Sequence, residues 1–265
     1  MKQLIEDSKR IIEEAESQGI KKFYALVSGG KDSVTTAHLF DSIKKLDGVI
    51  FIDTSIGIKD TKDFVVDLCD KNNWNLTILK PIEKENYENM VLKYGFPQPS
   101  GHRYSFIYLK WKPLWRWLRQ QKDVGKIAFV SGTRRKESRR RFLTSQALTR
   151  DKSYKKMLFV APLFNWSTKE VWDYLHKNNL EVSPVYKTLH LSGDCLCGAF
   201  AQRGEAELIS LFYPEVAHKI KDIECKLKDK NISKRCRWGR HSSMEGARQQ
   251  KQLESFLCAD CQLKD

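Results

Sequence analysis

Apolar runs and amphipathic stretches alternate along the first two thirds of the chain. Five short apolar runs, each with the length and composition of a buried strand, occupy residues 23–27, 49–52, 76–79, 127–130 and 157–160. Residues 3–18 and 62–71 instead place apolar side chains at helical spacing among charged ones. Strands that alternate with helices in this way predict an α/β fold built on a doubly wound, mainly parallel sheet.

The pattern changes at about residue 190. Helical stretches at 204–230 and 245–257 follow, bracketed by two close pairs of cysteines. Hydrophobic residues make up 41% of the chain, which is enough for a sizeable core. We therefore predict a sheet domain over residues 1–189 and a small, cysteine-rich helical module over residues 190–265.

A glycine-containing hexapeptide separates the first predicted strand from the helix after it. Its residues are Ser28, Gly29, Gly30, Lys31, Asp32 and Ser33. A strand, a glycine turn and a helix together direct backbone N–H groups at an anion, and the lysine adds a positive charge. The stretch is not a Walker A loop, because that pattern needs Ser or Thr directly after Gly-Lys. The alternative is a polar turn that binds nothing.

The hexapeptide matches the SGGxDS pyrophosphate loop (PP-loop) of the N-type ATP pyrophosphatases. Three further stretches resemble the branch of that superfamily that contains phosphoadenosine-phosphosulfate (PAPS) reductase. They are residues 51–54 with Thr61 and Phe64 (its "DTG…ET…F" motif), residues 131–138 with Arg141 ("GxRxxES…R") and residues 162–172 ("P…dWs..eVw"). The motifs occur in family order, and the resemblance implies an adenine nucleotide α-hydrolase-like fold. Within the last motif, Ser167 and Glu170 also have the spacing of a helix capping box.

The resemblance implies a site for ATP, PAPS or adenylyl sulfate. The catalytic residues would be Lys31, Asp32, Asp53 and Arg134. The nucleotide-binding residues would be the hexapeptide together with Asp53, Thr54, Gly132, Arg134 and Arg141. Asp53, at the carboxyl end of a strand, is expected to bind Mg²⁺ or a ribose hydroxyl. Arg134 and Arg141 are expected to neutralise phosphate or sulfate oxygens.

Seven cysteines, an odd number, argue against a disulfide framework. The pairs Cys195/Cys197 and Cys258/Cys261 could supply four thiolates to one metal centre, and their spacing alone does not distinguish zinc from an iron–sulfur cluster. The family resemblance favours a 4Fe-4S cluster in the helical module. Cys236 could replace one ligand. Cys69 and Cys225 are expected to be ordinary core residues.

The net charge of +14 is concentrated in one segment. Residues 102–156 hold 17 Lys and Arg against three acidic residues, whereas the rest of the chain is balanced at 30 against 30. Such a segment predicts contact with a nucleic acid, DNA or tRNA, and the alternative is a solvated basic surface. The candidate contact residues are Lys110, Lys112, Arg116, Arg139 and Arg140. Nearby tryptophans, including Trp111 and Trp115, could stack on bases or pack on the sheet.

Two departures from the family bear on the metal ligands and on the activity: the first leaves the later pair Cys195/Cys197 to supply ligands, and the second leaves a sulfite-forming reductase without its nucleophile. Ser105 and Phe106 stand where adenylyl-sulfate reductases place a Cys-Cys pair, and no "ECGxH" nucleophile follows Cys261. The chain also resembles the sulfurtransferases of DNA phosphorothioation and tRNA thiolation. That resemblance, together with the basic segment, implies as the first interpretation sulfur transfer to a nucleic acid through an adenylated intermediate. The alternatives are a sulfonucleotide reductase that forms sulfite, and a non-enzymatic nucleotide- and nucleic-acid-binding module with structural zinc.

The remaining expectations concern location and partners. The first residues contain no apolar signal segment, and no stretch approaches the ~18 apolar residues of a membrane span. A cytoplasmic protein with no membrane contact is expected. A donor protein for sulfur or electrons, and possible homodimer formation, complete the expected partners.

Overall fold

Six strands of the described residues form one sheet in the order β3-β2-β1-β4-β6-β5. The computed structural model describes residues 1–99, 102–137, 139–151, 157–229 and 236–239, with the backbone alone at 139, 140, 144 and 229. The strands are β1 (Lys22–Leu26), β2 (Gly48–Ile52), β3 (Leu76–Leu79), β4 (Ile127–Val130), β5 (Leu148–Arg150) and β6 (Leu158–Val160). Every neighbouring pair is parallel except β5 and β6, which run antiparallel.

Helices connect and cover these strands. They are α1 (Lys2–Ser17), α2 (Lys31–Ile43), α3 (Lys59–Lys71), α4 (Tyr87–Tyr94), α5 (His102–Phe106), α6 (Lys112–Arg119), α7 (Arg139–Thr144), α8 (Thr168–Lys177), α9 (Val185–Leu189), α10 (Glu205–Phe212) and α11 (Pro214–Asp229). A π-helical stretch, Ile107–Trp111, joins α5 to α6 in one continuous rod. No helix among the described residues is long and apolar enough to span a membrane.

The sheet lies between two helical layers. Successive side chains of a strand point to opposite faces. In β1, Phe23 and Ala25 belong to the apolar cluster that includes side chains of α1, α2, α3 and α8. Tyr24 and Leu26 pack instead with the cluster around α6. This arrangement confirms the predicted α/β fold with a doubly wound, mainly parallel sheet.

A third apolar cluster lies beside the sheet. It joins α4 and α9 to α10 and α11, and it includes Cys197 and Trp238. The cluster therefore contains residues from both sides of position 189. The division of the chain into domains at that position stays a prediction.

The structure tests the expected burial of three individual residues, Trp111, Cys69 and Cys225. Trp111 is only 9% exposed and packs under the sheet, as the packing interpretation required. Cys69 is buried as expected, but the expectation for Cys225 is wrong, because this residue is exposed. On α11 the buried residues, among them Val216 and Ile220, share one face, and Cys225 lies on the opposite face.

Candidate active site

The PP-loop connects the end of β1 to the start of α2. Gly29 has a φ of 81°, a backbone conformation that favours glycine. The Ser33 hydroxyl accepts from the backbone N–H of Ser28 (3.1 Å) and donates to the carbonyl of Gly30 (2.9 Å), which closes the loop. Gly30 is the N-cap of α2 and provides no side chain to its first N–H groups. The helix N-terminus is therefore presented at the carboxyl edge of the sheet, where it can bind an anion.

The loop after β4 packs directly against this helix N-terminus. Arg134 is 1% exposed, and its Nε donates to Asp32 Oδ1 at 2.7 Å. Asp32 Oδ2 also lies 3.4 Å from Lys31 Nζ. A Cβ added to Gly132 would lie 2.8 Å from the carbonyl carbon of Asp32, so only glycine permits this approach. The sequence predicted that Arg134 contacts phosphate, and the structure places it in an ion pair with the PP-loop.

Asp53 and Thr54 lie directly after β2. The Asp53 carboxylate has Lys62 and Lys80 at 3.4 and 3.5 Å. The Thr54 hydroxyl is buried and donates to the backbone carbonyl of Asp194 at 2.8 Å. The predicted Mg²⁺ or ribose contact of Asp53 stays a prediction.

A cavity of about 550 Å³ opens at the carboxyl edge of β1, β2 and β4, where α/β sheets bind ligands. Its volume is within the usual range for small-molecule sites. The apolar part of its wall includes residues of the strands, the π-helical stretch and α6, among them Leu26, Ile50, Ile52, Trp111, Leu114 and Phe159. The polar part includes Ser28, Ser131, Thr133 and Arg141. An apolar wall next to the PP-loop suits a purine base attached to phosphates. We call this space the loop cavity.

A second cavity, of about 570 Å³, contains the side chains of Cys195 and Cys197. We call it the cysteine cavity. The two cavities have four lining residues in common, which we call the shared wall: Phe106, Lys110, Arg141 and Asp194. Lys110 Nζ donates to Asp194 Oδ2 at 2.5 Å. The structure thus places the cysteine pair next to the space that adjoins the PP-loop.

The two thiols interact with each other. A hydrogen bond from the Cys195 thiol lowers the pKa of Cys197, and a hydrogen bond from His102 lowers it further. Together they outweigh burial, which alone would raise it. The same thiol–thiol bond, together with burial, raises the pKa of Cys195. Burial lowers the pKa of Lys110, but the charges of Asp194 and Cys195 outweigh it and leave the net pKa raised. The shared hydrogen bond therefore separates the pKa values of the two thiols, and that of Cys197 is the lower.

Two sulfur donors in one cavity fit part of the ligand set of zinc or an iron–sulfur cluster. Among the described residues there is no group of three or more His, Cys, Asp or Glu side chains that could hold a metal ion. Cys258 and Cys261, the other predicted ligands, lie outside the described residues. Cys236 is described and half-buried, and its neighbour Trp238 donates from Nε1 to the carbonyl of Leu196 at 2.8 Å. The segment of Cys236 thus contacts the backbone between the paired cysteines.

The residues predicted to contact nucleic acid make ion pairs within the chain where their side chains are described. Lys110 pairs with Asp194, and both Lys112 and Arg116 pair with Glu85. The side chains of Arg139 and Arg140 lie outside the described part, although their backbone begins α7. Acidic residues remote in sequence therefore neutralise part of the basic segment.

Thr61, which belongs to the second sequence motif, connects the PP-loop to the segment before Cys195 together with Ser183 and Ser192, two residues that the sequence did not indicate. Thr61 and Ser183 are both fully buried, and their hydroxyl oxygens lie 2.9 Å apart. Ser183 donates its backbone N–H to Gly29, and Thr61 donates its hydroxyl to the carbonyl of Ser192. Serines after position 180 gave no local signal, because their role depends on tertiary contact with the PP-loop.

The strand order, the PP-loop and the cavity beside it together define a PP-loop nucleotide-binding fold. The chain belongs to the family of the phosphoadenosine phosphosulfate reductase domain, whose model matches residues 22–197. The family membership predicted from the four sequence motifs is confirmed.

Curated relatives include reductases. Adenosine 5'-phosphosulfate reductase of Lysinibacillus sphaericus is 29% identical over 169 residues, which cover 63% of this chain and 69% of that protein. Protein MJ0973 of Methanocaldococcus jannaschii is 29% identical over 219 residues, covering 77% of this chain but only 50% of the relative. The chain thus matches half the length of this longer relative. The named reductases are enzymes, which agrees with the class predicted from the sequence.

Two solved structures share the fold. PAPS reductase from Candida auris, in a phosphate complex, has a TM-score of 0.51 and 20% identity, covering 68% of this chain and 83% of that one. The U34-tRNA thiolase NcsA from Methanococcus maripaludis, solved with its 4Fe-4S cluster, has a TM-score of 0.50 and 15% identity. The latter alignment covers 100% of this chain and 84% of the thiolase.

Proposed function

We propose that the protein is a PP-loop sulfurtransferase that activates a nucleic acid with ATP and replaces an oxygen of the acceptor with sulfur. The observation that carries the proposal is the shared wall between the loop cavity and the cysteine cavity. A nucleotide in the first cavity and sulfur chemistry in the second would be separated only by the side chains of that wall.

The proposed reaction has two steps. First, an oxygen of the acceptor attacks the α-phosphorus of ATP, the bond to the β-phosphate breaks, and pyrophosphate leaves. Then a sulfur nucleophile attacks the adenylated carbon, the carbon–oxygen bond breaks, and AMP leaves with the oxygen. The charge on the leaving pyrophosphate grows in the first step, so Lys31 and the N-terminus of α2 would stabilise it.

The cysteine pair would serve the second step. Cys195 and Cys197 would provide two of the ligands of a 4Fe-4S cluster, with Cys258 and Cys261 as the other two. When bound, such a cluster would supply a soft iron site for sulfur where one of its irons lacks a cysteine ligand, because four thiolates occupy all four irons. Asp53, at the end of β2, would orient Mg²⁺ on the phosphates. A separate donor protein would deliver the sulfur.

The acceptor is proposed to be a nucleic acid because the basic excess of the chain is concentrated in residues 102–156, which include shared-wall residues. The likeness to a tRNA thiolase along the whole chain supports this choice. A polyanion on this segment would lie beside the two cavities, because the segment supplies Phe106, Lys110 and Arg141 to the shared wall.

The first test is nucleotide binding at the PP-loop. Lys31→Ala is expected to weaken ATP binding by about 1.5–3 kcal/mol, because it removes a charge-assisted contact with phosphate. Isothermal titration calorimetry of anaerobically purified protein measures the change. Lys21→Ala, an exposed lysine before β1, is the matched control and should bind ATP like the wild type. Equal affinities for all three proteins would remove Lys31 from the site.

The second test follows products. Protein supplied with ATP, sulfide and tRNA or DNA should release AMP and pyrophosphate in step with sulfur incorporated into the nucleic acid. The same preparation supplied with PAPS or adenylyl sulfate and a thiol should form no sulfite.

A sulfonucleotide reductase is the second candidate, and the reductase relatives favour it. In that reaction a thiolate attacks the sulfur of the sulfonucleotide and displaces the nucleotide. A second thiol then releases sulfite and forms a disulfide. Sulfite formation without sulfur incorporation into nucleic acid would establish this candidate and contradict the first.

A further inference from the structure

Residues 192–196, which we call the cysteine strap, lie across the PP-loop. The Cβ of Ser192 lies 3.2 Å from the position that a Cβ on Gly30 would take. Leu196 donates its backbone N–H to the carbonyl of Ile56 at 3.2 Å, and the carbonyl of Asp194 accepts from the Thr54 hydroxyl. The strap is therefore attached to the segment after β2 and also contacts the loop expected to bind phosphate.

Thr61 contacts both sides of this junction. Its hydroxyl donates to the carbonyl of Ser192 at 2.6 Å. Because a hydroxyl has one proton, the Ser183 hydroxyl must donate to Thr61 across their 2.9 Å contact. Ser183 in turn donates its backbone N–H to Gly29 at 2.8 Å. The methyl group of Thr61 also lies 3.1 Å from the position of a Cβ on Gly29.

The strap connects this contact to the cysteine pair within a few residues. Gly193 has a φ of 73°, and a Cβ added there would lie 2.8 Å from Thr61 Oγ1. Asp194 then accepts from Ser192 Oγ at 2.6 Å and from Lys110 at 2.5 Å, and Cys195 follows directly. A displacement at Ser192 therefore changes the position of Cys195, because the intervening turn is closely packed.

We propose that Thr61 is a positioning residue that transmits nucleotide binding at the PP-loop to the cysteine strap. The inference rests on the proposed function, since it requires the PP-loop to bind ATP. With the hydroxyl present, ordering of the loop by phosphates also orders the strap and the cysteine pair. Without it, the loop can still bind ATP, but the strap does not respond.

The test is amide hydrogen exchange of the full chain, purified anaerobically, with and without Mg²⁺–ATP. In the wild type, ATP should slow exchange in both the PP-loop and residues 191–196, by about fivefold in the latter. In Thr61→Val, the PP-loop should still be protected and residues 191–196 should not. Thr61→Ser, which keeps the hydroxyl, should restore the wild-type response.

Thr36→Val is the matched control. Thr36 is buried, and within the described part of the chain its hydroxyl has no hydrogen-bond partner, so the substitution removes no contact of this kind. It should respond to ATP like the wild type. Where Thr61→Val does not fold, Ser183→Ala tests the same chain of contacts, since it removes the hydroxyl that donates to Thr61, and it should reduce the ATP response of the strap.

The outcomes separate the two proposals. If ATP protects residues 191–196 fully in Thr61→Val, the inference is overturned and the proposed function stays intact. Where that variant does not fold, the same result in Ser183→Ala has the same meaning. A wild-type PP-loop that ATP does not protect overturns the proposed function, and the inference with it.

Discussion

Arg134 shows how the surroundings of a single residue can change its expected role. The family motif assigns an arginine to this position, and sequence alone favoured contact with phosphate. In the structure the guanidinium is buried and contacts Asp32 and, more distantly, the carbonyl of Trp166 at 3.4 Å. A buried charge requires a partner, and here the partner belongs to the PP-loop itself. Arg134 would therefore act on the nucleotide through the position of Asp32.

This pairing predicts that substitutions at the two residues are coupled. Arg134→Gln should lower the free energy of unfolding by about 3 kcal/mol, because Asp32 loses its buried partner and keeps only Lys31, whose Nζ lies 3.4 Å from Oδ2. Asp32→Asn should weaken ATP binding as well, since the loop loses its anchor. The double variant should be less damaged than the sum of the two, by at least about 1 kcal/mol.

Denaturant unfolding and ATP titration of the four proteins provide the cycle. Arg135→Gln is the control. Arg135 is the next residue in the chain, but its guanidinium lies over the ring of Phe142, 4.3 Å from the centroid, and among the described residues it makes no ion pair with Asp32. The contrary outcome has two parts: the losses of the two single variants add up in the double variant, and Arg134→Gln weakens the binding of ATP more than that of AMP. That result would indicate that Arg134 contacts phosphate directly.

At the scale of elements, the sequence was sufficient to predict those strands and helix ends that are determined by their own residues. The buried strands were predicted within one or two residues, and the capping box of α8 is present. The edge strand β5 was missed, because Leu148–Arg150 has no apolar run and is a strand only through its pairing with β6. The π-helical stretch likewise has no sequence signature that distinguishes it from an ordinary helix.

The capping box provides a prediction at this scale. Ser167→Ala should destabilise the protein by about 1 kcal/mol, because the Ser167 hydroxyl accepts from the backbone N–H of Glu170 at 3.3 Å. Chemical denaturation at neutral pH measures the loss. Ser210→Ala, at an exposed position on α10, should change stability little by comparison. Equal losses in the two variants would show that the cap contributes nothing.

The same box predicts a pH dependence. Burial raises the pKa of Glu170, but hydrogen bonds from Ser167, together with nearby positive charge, outweigh it and leave the net pKa lowered. A lowered folded-state pKa means that this stabilisation is present above the usual range for glutamate and is lost as the pH falls through the lowered value. The stability difference between the wild type and Glu170→Gln should therefore shrink in acid.

At the scale of the whole molecule, the sequence located the charge excess but not its partners. The excess of 14 positive charges could be counted, whereas the pairing of Lys112 and Arg116 with Glu85 depends on how α6 packs beside the segment before α4. The same limit applies to the site. The PP-loop was recognisable from six consecutive residues, but its contact with the cysteine strap brings Gly30 against Ser192, more than 160 positions later in the chain.

This distribution predicts two different salt dependences. If residues 102–156 bind a nucleic acid, replacing Arg139 and Arg140 together should reduce the slope of log affinity against log salt by about two. Replacing Lys112 and Arg116 should reduce it less, because Glu85 already neutralises part of their charge. Binding isotherms at several salt concentrations measure both slopes. A larger reduction of the slope from replacing Lys112 and Arg116 would show that these residues leave Glu85 and bind the nucleic acid.

The shared wall also affects the fate of a reactive intermediate. An adenylated acceptor can be attacked by sulfur or hydrolysed by water, and the proportion depends on which nucleophile reaches it first. Under the proposed function, the intermediate would form in the loop cavity and the sulfur would come from the adjacent cysteine cavity, with only the four side chains of the shared wall between them. Phe106, 44% exposed at that boundary, is the part of the wall most open to water. The efficiency with which ATP is used would then depend on how well this aromatic ring excludes water.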